Sequence, residues 1–349
     1  MDKHETNVEG KAMKVAVLGR TQLLYESAKA ISSNGHQIVL IGTCPAVAEY
    51  KKNENDFAEL AETLRVPYFC DAAINSDRII KLIYDSGADV AISVNWLTLI
   101  SRKVIDQFPY GIINAHAGDL PRYRGNAVSN WAIINNEATV VLTLHYMVAE
   151  LDAGPILLQR TFHLLPTTYI TDIYSFIEVT LPGMFVETLD GLESNSLFPR
   201  NQSTDPSQSL RCFPRLPRDS ELDWDQSAEY LARLIRASAE PFAGAYSYLN
   251  KEKLIIWRAY ADRLPYPYLG APGQVAERRK KKGEVIVLTG DGVLVLQEAE
   301  NAFGVRSSAG EIITSSRVRL GVDTHSEIVQ LRKEIERLKQ IIESGALSK

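Results

Sequence analysis

Cysteine, clustered histidine and long apolar runs are all scarce in this chain of 349 residues. Its three cysteines, Cys44, Cys70 and Cys212, are odd in number and far apart, so neither a disulfide framework nor a zinc pattern is readable. That usage fits a reducing, cytoplasmic setting. The six histidines fall at no i, i+4 or ligand-loop spacing, which argues against a metal site. No apolar run approaches the roughly 20 residues that cross a bilayer. The opening MDKHETNVEGKAMK lacks the apolar core of a secretory signal, and residues 1–12 read as a disordered leader. Positive charge is not in surplus either. A net charge of −5 disfavours a protein that grips a nucleic-acid backbone. The small basic clusters, Arg278 to Lys282 and Arg211, Arg215 and Arg218, read as a solvated hairpin turn and loop.

What is present is an ordinary globular composition, 45% apolar and 23% charged, at a length that suggests two domains with appendages. Residues 13–18 (MKVAVL), 37–42 (QIVLIG), 66–69, 88–94 (ADVAISV) and 110–115 read as strands. Helical periodicity follows the first of them, to about Ser33, and recurs over 74–86. Unbroken apolar strands alternating with helices predict a Rossmann-like, doubly wound, mostly parallel sheet. Such sheets bind ligands beyond the carboxyl ends of their strands. The first strand leads into Gly19-Arg20-Thr21-Gln22, a single glycine where a dinucleotide fingerprint needs several, so a nicotinamide cofactor is disfavoured.

Strands are expected at 139–148 and 155–163, then a helix over 171–193. From Glu193 to Ser220 the composition turns to Ser, Asn, Pro, Asp and Arg, as in a linker. An amphipathic helix over 226–238 and five short β runs between 246 and 297 then predict a small β-barrel. In the tail, Ile328, Leu331, Ile335, Leu338 and Ile342 repeat at 3,4,3,4 spacing with charged residues between them. They read as a and d positions of about two heptads. A short coiled coil between subunits of a homodimer is the preferred reading; a helix packed on its own domain is the alternative. The expected divisions are 1–12, 13–205, 206–320 and 321–349.

The stretch Asn114-Ala115-His116-Ala117-Gly118-Asp119-Leu120-Pro121 follows a predicted core strand. Asn114 and His116, two apart, share one side of an extended segment. Asp152 lies 38 positions beyond Asn114, in the turn Leu151-Asp152-Ala153-Gly154 between two strands. An amide donor, an imidazole and a carboxylate suit acyl transfer to an amine. Asn114 would hold the developing oxyanion with His116 as its partner, and the His–carboxylate pair would take the proton of the amine. The same residue types also serve as turn formers and caps. No serine or cysteine nucleophile motif is present, which implies direct attack without an acyl-enzyme.

The segment NAHAGDLPRYRGNA, followed by LDAGPI, resembles the folate-dependent formyltransferases, which share an Asn-x-His…Leu-Pro…Arg-Gly motif and a downstream Asp-x-Gly. PRLPRDSELDWDQSAEYLARLIRAS, PFAGAYSYL and KLIIWRA are similar to the C-terminal barrel of methionyl-tRNA formyltransferase and its sugar-modifying relatives. The resemblance implies the formyltransferase fold with an OB-like second domain. It implies Asn114, His116 and Asp152 as a catalytic trio and N10-formyltetrahydrofolate as cosubstrate. It also implies a folate site at Ser93, Val94, Asn95, Trp96 and Leu97 and at Gly118, Asp119, Leu120 and Pro121, holding the pterin largely through backbone groups. Methionyl-tRNA enzymes usually read Ser-Leu-Leu-Pro where this chain reads Gly-Asp-Leu-Pro.

Among possible acceptors, the sequence favours an amino sugar linked to a nucleotide, dTDP or UDP, for surface polysaccharide such as lipopolysaccharide O-antigen. The region 42–56, where methionyl-tRNA enzymes carry a basic loop, has only two lysines balanced by acids. Arg124-Gly125-Asn126-Ala127-Val128 replaces their Arg-Gly-Ala-Ala-Pro. Asn126 and Asn130, four apart on the expected helix, would line the acceptor pocket from one face. The helix N-terminus would face a diphosphate, with Arg122, Tyr123 and Arg124 beside it. The alternatives are the initiator methionyl-tRNA as acceptor, or a folate-binding scaffold with no activity.

Overall fold

The computed structural model of the protein describes residues 12–47, 50–322 and 324–343; the expected leader, apart from residue 12, lies outside the described residues. Contacts divide the chain into two units, one ending at Leu216 and the other starting at Pro217.

The first unit opens with β1 (Lys14–Gly19), α1 (Thr21–Ser33), β2 (Gln37–Thr43), α2 (Glu54–Leu64), β3 (Tyr68–Cys70), α3 (Asp77–Ser86), β4 (Val90–Val94) and α4 (Arg102–Ile105). It continues with β5 (Ile112–His116), β6 (Tyr123–Gly125), α5 (Val128–Ile134), β7 (Thr139–Tyr146), β8 (Ile156–His163), α6 (Ile170–Glu193) and β9 (Leu210–Cys212). Seven strands form one sheet in the order β3-β2-β1-β4-β5-β7-β8. Pairing is parallel from β3 to β5 and antiparallel at β7 and β8. The apolar runs are unbroken because both faces are covered. Ala16 and Leu18 of β1 pack with Ile79 and Ile83 of α3. Val15 and Val17, also fully buried, point to the opposite face, and α1 packs on α6. Burying each large aliphatic side chain stabilises the unit by about 1.5–3 kcal/mol.

The sequence reading passed over α2, although its start carries a capping box. Asn53 Oδ1 accepts the Asn55 N–H at 2.8 Å, and Asp56 accepts the Asn53 N–H at 2.9 Å. Phe57, Leu60 and Ala61 then recur at helical spacing and are buried. The segment 193–220 is more than a linker. Its Arg200 exchanges backbone hydrogen bonds of 2.8 Å with Ile156, and β9 pairs in parallel with β6.

The second unit holds α7 (Ala228–Ser238), β10 (Ala245–Leu249), β11 (Glu252–Asp262), β12 (Val275–Arg279), β13 (Glu284–Leu288), β14 (Val293–Glu300), β15 (Arg306–Ser308), α8 (Ala309–Ile312) and α9 (Thr324–Glu343). Ser227 caps α7 through the Tyr230 N–H, and Leu231, Leu234 and Ile235 are buried. The strands form an antiparallel sheet, β10-β11-β14-β13-β12, with β15 added on β14. The segment 318–321 reaches both edges: the Leu320 N–H donates to the Gly273 carbonyl at 2.7 Å and the Gly321 N–H to the Tyr248 carbonyl at 2.9 Å. Lys280 to Gly283 turn between β12 and β13, which places the basic cluster on a hairpin. Among the described residues no helix is long and apolar enough to cross a membrane.

Candidate active site

The parallel register sets Ser93 of β4 opposite Asn114 of β5, and the antiparallel register sets His145 of β7 on the other side of Asn114. Asn114 and His116 then project together near the carboxyl end of β5. The connection from β7 to β8 brings Asp152 back over them. Asp152 is left-handed (φ 51°), a conformation that aspartate accepts more readily than most residues.

Four side chains meet as a result. His116 Nδ1 lies 3.7 Å from Asp152 Oδ2, and His145 Nε2 lies 3.7 Å from Asp152 Oδ1. The amide of Asn114 is 3.2 Å from His145 Nε2. The side chains of His116 and Asp152 are only 8% and 9% exposed, so charge formed here is poorly screened.

Backbone carbonyls fix both tautomers, because a carbonyl can only accept. His116 Nε2–H donates to the Tyr123 carbonyl at 2.7 Å, which leaves Nδ1 of the neutral ring bare and facing the carboxylate. His145 Nδ1–H donates to the Tyr146 carbonyl at 2.9 Å, so its bare Nε2 accepts an N–H of Asn114. One amide hydrogen of Asn114 is thereby anchored, and the other is left for a ligand. The Gly125 N–H donates to Asp152 Oδ2 at 2.8 Å. Gln202 clamps the turn from behind, donating from Nε2 to the carbonyls of Asp152 (2.8 Å) and Gly154 (2.6 Å) and accepting from Arg124 Nη2 at 2.7 Å.

His145 and Gln202 escaped the sequence reading. The only available signal for His145 was its place as the one ionisable imidazole within the largely apolar run TVVLTLHYMV. Gln202 had no signal of its own. Burial, reinforced by the neighbouring His116 imidazole, holds the His145 imidazole well below its ordinary range, at about 4. The ring is therefore neutral near pH 7 and serves as an acceptor. Its protonation is resisted in the folded state and free in the unfolded chain, where imidazole titrates near about 6.5. Stability is thus present above that value and declines as pH falls towards about 4. Thermal unfolding of His145→Asn should show a shallower decline across that window than the parent; an unchanged slope would remove His145 as its source.

The other expected site residues fall as follows. Ser93 is buried at the end of β4, and its Oγ has no hydrogen-bond partner among the described residues. Val94 is buried; Asn95 is left-handed (φ 54°), and Leu97 is exposed. Trp96 stacks edge-on against Phe69 with centroids 6.4 Å apart. Several backbone acceptors expected to hold a pterin are already used. The carbonyls of Val94 and Asn95 accept from Arg20, and that of Gly118 accepts from Thr143 Oγ1 at 2.8 Å. Burial pushes the Asp119 carboxyl up, and Leu120 is buried beside Pro121.

On the acceptor side one expectation is corrected. Asn126 is not on the helix: α5 starts at Val128, after a left-handed Ala127, and Asn130 is buried within it. The two asparagines therefore do not share a helical face. Arg122 is committed to Glu137 through two bonds of 2.9 and 2.7 Å, and the Tyr123 hydroxyl donates to the same carboxylate at 2.7 Å. Arg124 is free to do more, since its buried Nε has no partner among the described residues. Among the described residues no group of three or more His, Cys, Asp and Glu side chains is placed to hold a metal ion.

With this geometry in view, the comparisons are specific. The formyl transferase family model matches residues 13–189, and that of the formyl transferase C-terminal domain matches residues 216–317. The chain belongs to the formyl transferase family. Solved structures share the fold of this formyltransferase at low identity. HypX from Aquifex aeolicus, in complex with tetrahydrofolic acid, is 19% identical with a TM-score of 0.56, covering 87% of this chain and 47% of that one. The formyltransferase thus spans about half the length of the HypX chain it matches. An N-formyltransferase from Helicobacter canadensis, in complex with folinic acid and dTDP-3-aminofucose, is 17% identical with a TM-score of 0.60, covering 82% of this chain and 98% of that one. A sugar N-formyltransferase from a Shewanella species is 18% identical with a TM-score of 0.54, covering 72% of this chain and 99% of that one.

Proposed function

We propose that this formyltransferase moves a formyl group from N10-formyltetrahydrofolate to the amino group of a nucleotide-linked amino-deoxy sugar, dTDP or UDP, in the cytoplasm. The observation that carries the reading is the bare Nδ1 of His116, 3.7 Å from the buried Asp152 carboxylate, on the strand that also carries Asn114. Such a site accepts a proton and stabilises negative charge on oxygen within one small volume.

The folate supplies the electrophilic formyl group. Ser93 Oγ, in register with Asn114 and without a hydrogen-bond partner among the described residues, offers a polar group for the edge of the folate ring. As the amine attacks the formyl carbon, the second N–H of Asn114 meets the oxygen that gains charge. The amine proton passes to His116 Nδ1, and the Asp152 carboxylate stabilises the imidazolium. His116 in that state donates to the oxyanion or returns the proton to the departing N10 as the C–N10 bond breaks. Amide and tetrahydrofolate are the products, with no proton left over.

For the acceptor, two observations favour a sugar over the initiator tRNA. Lys51 and Lys52, the only lysines of the 42–56 region, are occupied by Glu178 (3.1 Å) and Asp56 (2.6 Å). The Helicobacter relative, nearly all of whose length is matched, binds a dTDP-amino sugar. Arg124, half-buried and two residues before the exposed Asn126, is the basic group we assign to the nucleotide diphosphate. Incubated with N10-formyltetrahydrofolate and dTDP- or UDP-linked amino sugars, the protein should release tetrahydrofolate and an N-formylated sugar. Turnover of charged initiator tRNA alone would overturn the acceptor assignment.

A further inference from the structure

The tail helix α9 carries a surface that the second unit leaves uncovered. Its five seam residues, Ile328, Leu331, Ile335, Leu338 and Ile342, are between 48% and 65% exposed. Lys251 touches the helix through Gln330 at 3.0 Å and Glu327 at 3.8 Å, on its flank and not on the apolar seam. An apolar stripe of this regularity, on a helix whose other positions are mostly polar or charged, calls for a partner.

The residues themselves specify which partner. Isoleucine occupies all three a positions (328, 335, 342) and leucine both d positions (331, 338). β-Branched residues at a with leucine at d favour two parallel strands. The flanking charges agree. The g positions 327 and 334 are both Glu, and the e positions 332 and 339 are Arg and Lys. In a parallel pair each g residue faces the e residue five places on in the other helix. Antiparallel pairing would instead set Glu against Glu and Arg or Lys against its like.

We propose that α9 pairs in parallel with the α9 of a second copy of this chain. Ile328, Leu331, Ile335, Leu338 and Ile342 form the seam. Glu327 faces Arg332 of the partner subunit, and Glu334 faces Lys339 of the partner subunit. Both C-terminal units then leave the coil at the same end. Two heptads are marginal alone, so the pairing is concentration-dependent. The ion pairs, exposed and individually weak, set the direction more than the affinity.

Disulfide trapping in the full-length chain tests the direction, in a Cys70→Ser background that removes the exposed native thiol. Ile342→Cys should crosslink to itself on mild oxidation, and so should Ile328→Cys. In an antiparallel pair centred on Ile335, like thiols would stand about 21 Å apart at 1.5 Å per residue, and only a mixture of the two variants would crosslink. Reversing one set of charges (Glu327→Lys with Glu334→Lys, or Arg332→Glu with Lys339→Glu) should cut self-crosslinking several-fold, and mixing the two reversed chains should restore it. Preferential crosslinking of Ile328→Cys to Ile342→Cys, or none at the highest concentration the protein tolerates, overturns the proposal.

Discussion

Replacing His116 or Asp152 by asparagine should lower turnover by about 10²–10⁴-fold, while binding of the folate cosubstrate stays close to that of the parent. In His116→Asn the acceptor nitrogen beside Asp152 is gone. In Asp152→Asn the amide oxygen can still accept the Gly125 N–H, now at 2.8 Å, so the turn is retained while the charge that stabilises an imidazolium is lost. The two groups act as a unit, 3.7 Å apart. The double variant should therefore be barely slower than the slower single one. Single-turnover rates with folate binding measured in parallel make the check. Near-parental turnover in either single variant would reject the proton-handling role.

Gly118→Ala should impair turnover nearly as much through packing alone. A Cβ at Gly118 would collide with the His116 ring and with the Tyr123 carbonyl, the two ends of the hydrogen bond that fixes the tautomer. Overpacking of this kind costs about 1–3 kcal/mol, and a catalytic group displaced by about 1 Å can lose about 10²-fold in rate. Gly183→Ala is the control: it sits within α6 with nothing within 4 Å of its added carbon, so its turnover should match the parent. A parental kcat in Gly118→Ala would mean that His116 does not depend on the Tyr123 bond. The Gly154 of the Asp-x-Gly turn is equally constrained, since a side chain there would run into the Tyr146 carbonyl.

Much of the fold was legible because its signals are local. Unbroken runs such as KVAVLG mark strands covered on both faces, and helical periodicity with a cap or a terminating glycine marks helices. The interval from Asn114 to His116 fixed their common side by strand geometry alone. Helix α2 was equally local and was missed, although Asn53 and Asp56 announce it. The Asn126–Asn130 pair failed for the opposite reason. Spacing of four means a shared face only inside a helix, and the chain enters α5 two residues too late for Asn126.

By itself, then, the sequence determined the sheet class, the common side of Asn114 and His116 and the heptad spacing of the tail, since each is written in residue spacing over a few turns or strand steps, whereas Asp152 joined them as a candidate through the resemblance to the formyltransferases. Tertiary structure alone recruited His145, 31 positions from Asn114, through the β5–β7 register, brought Gln202 behind the Asp152 turn, and committed Arg122 to Glu137. Pairing across strands and loops depends on which distant partners satisfy buried polar groups, and no local period records that choice.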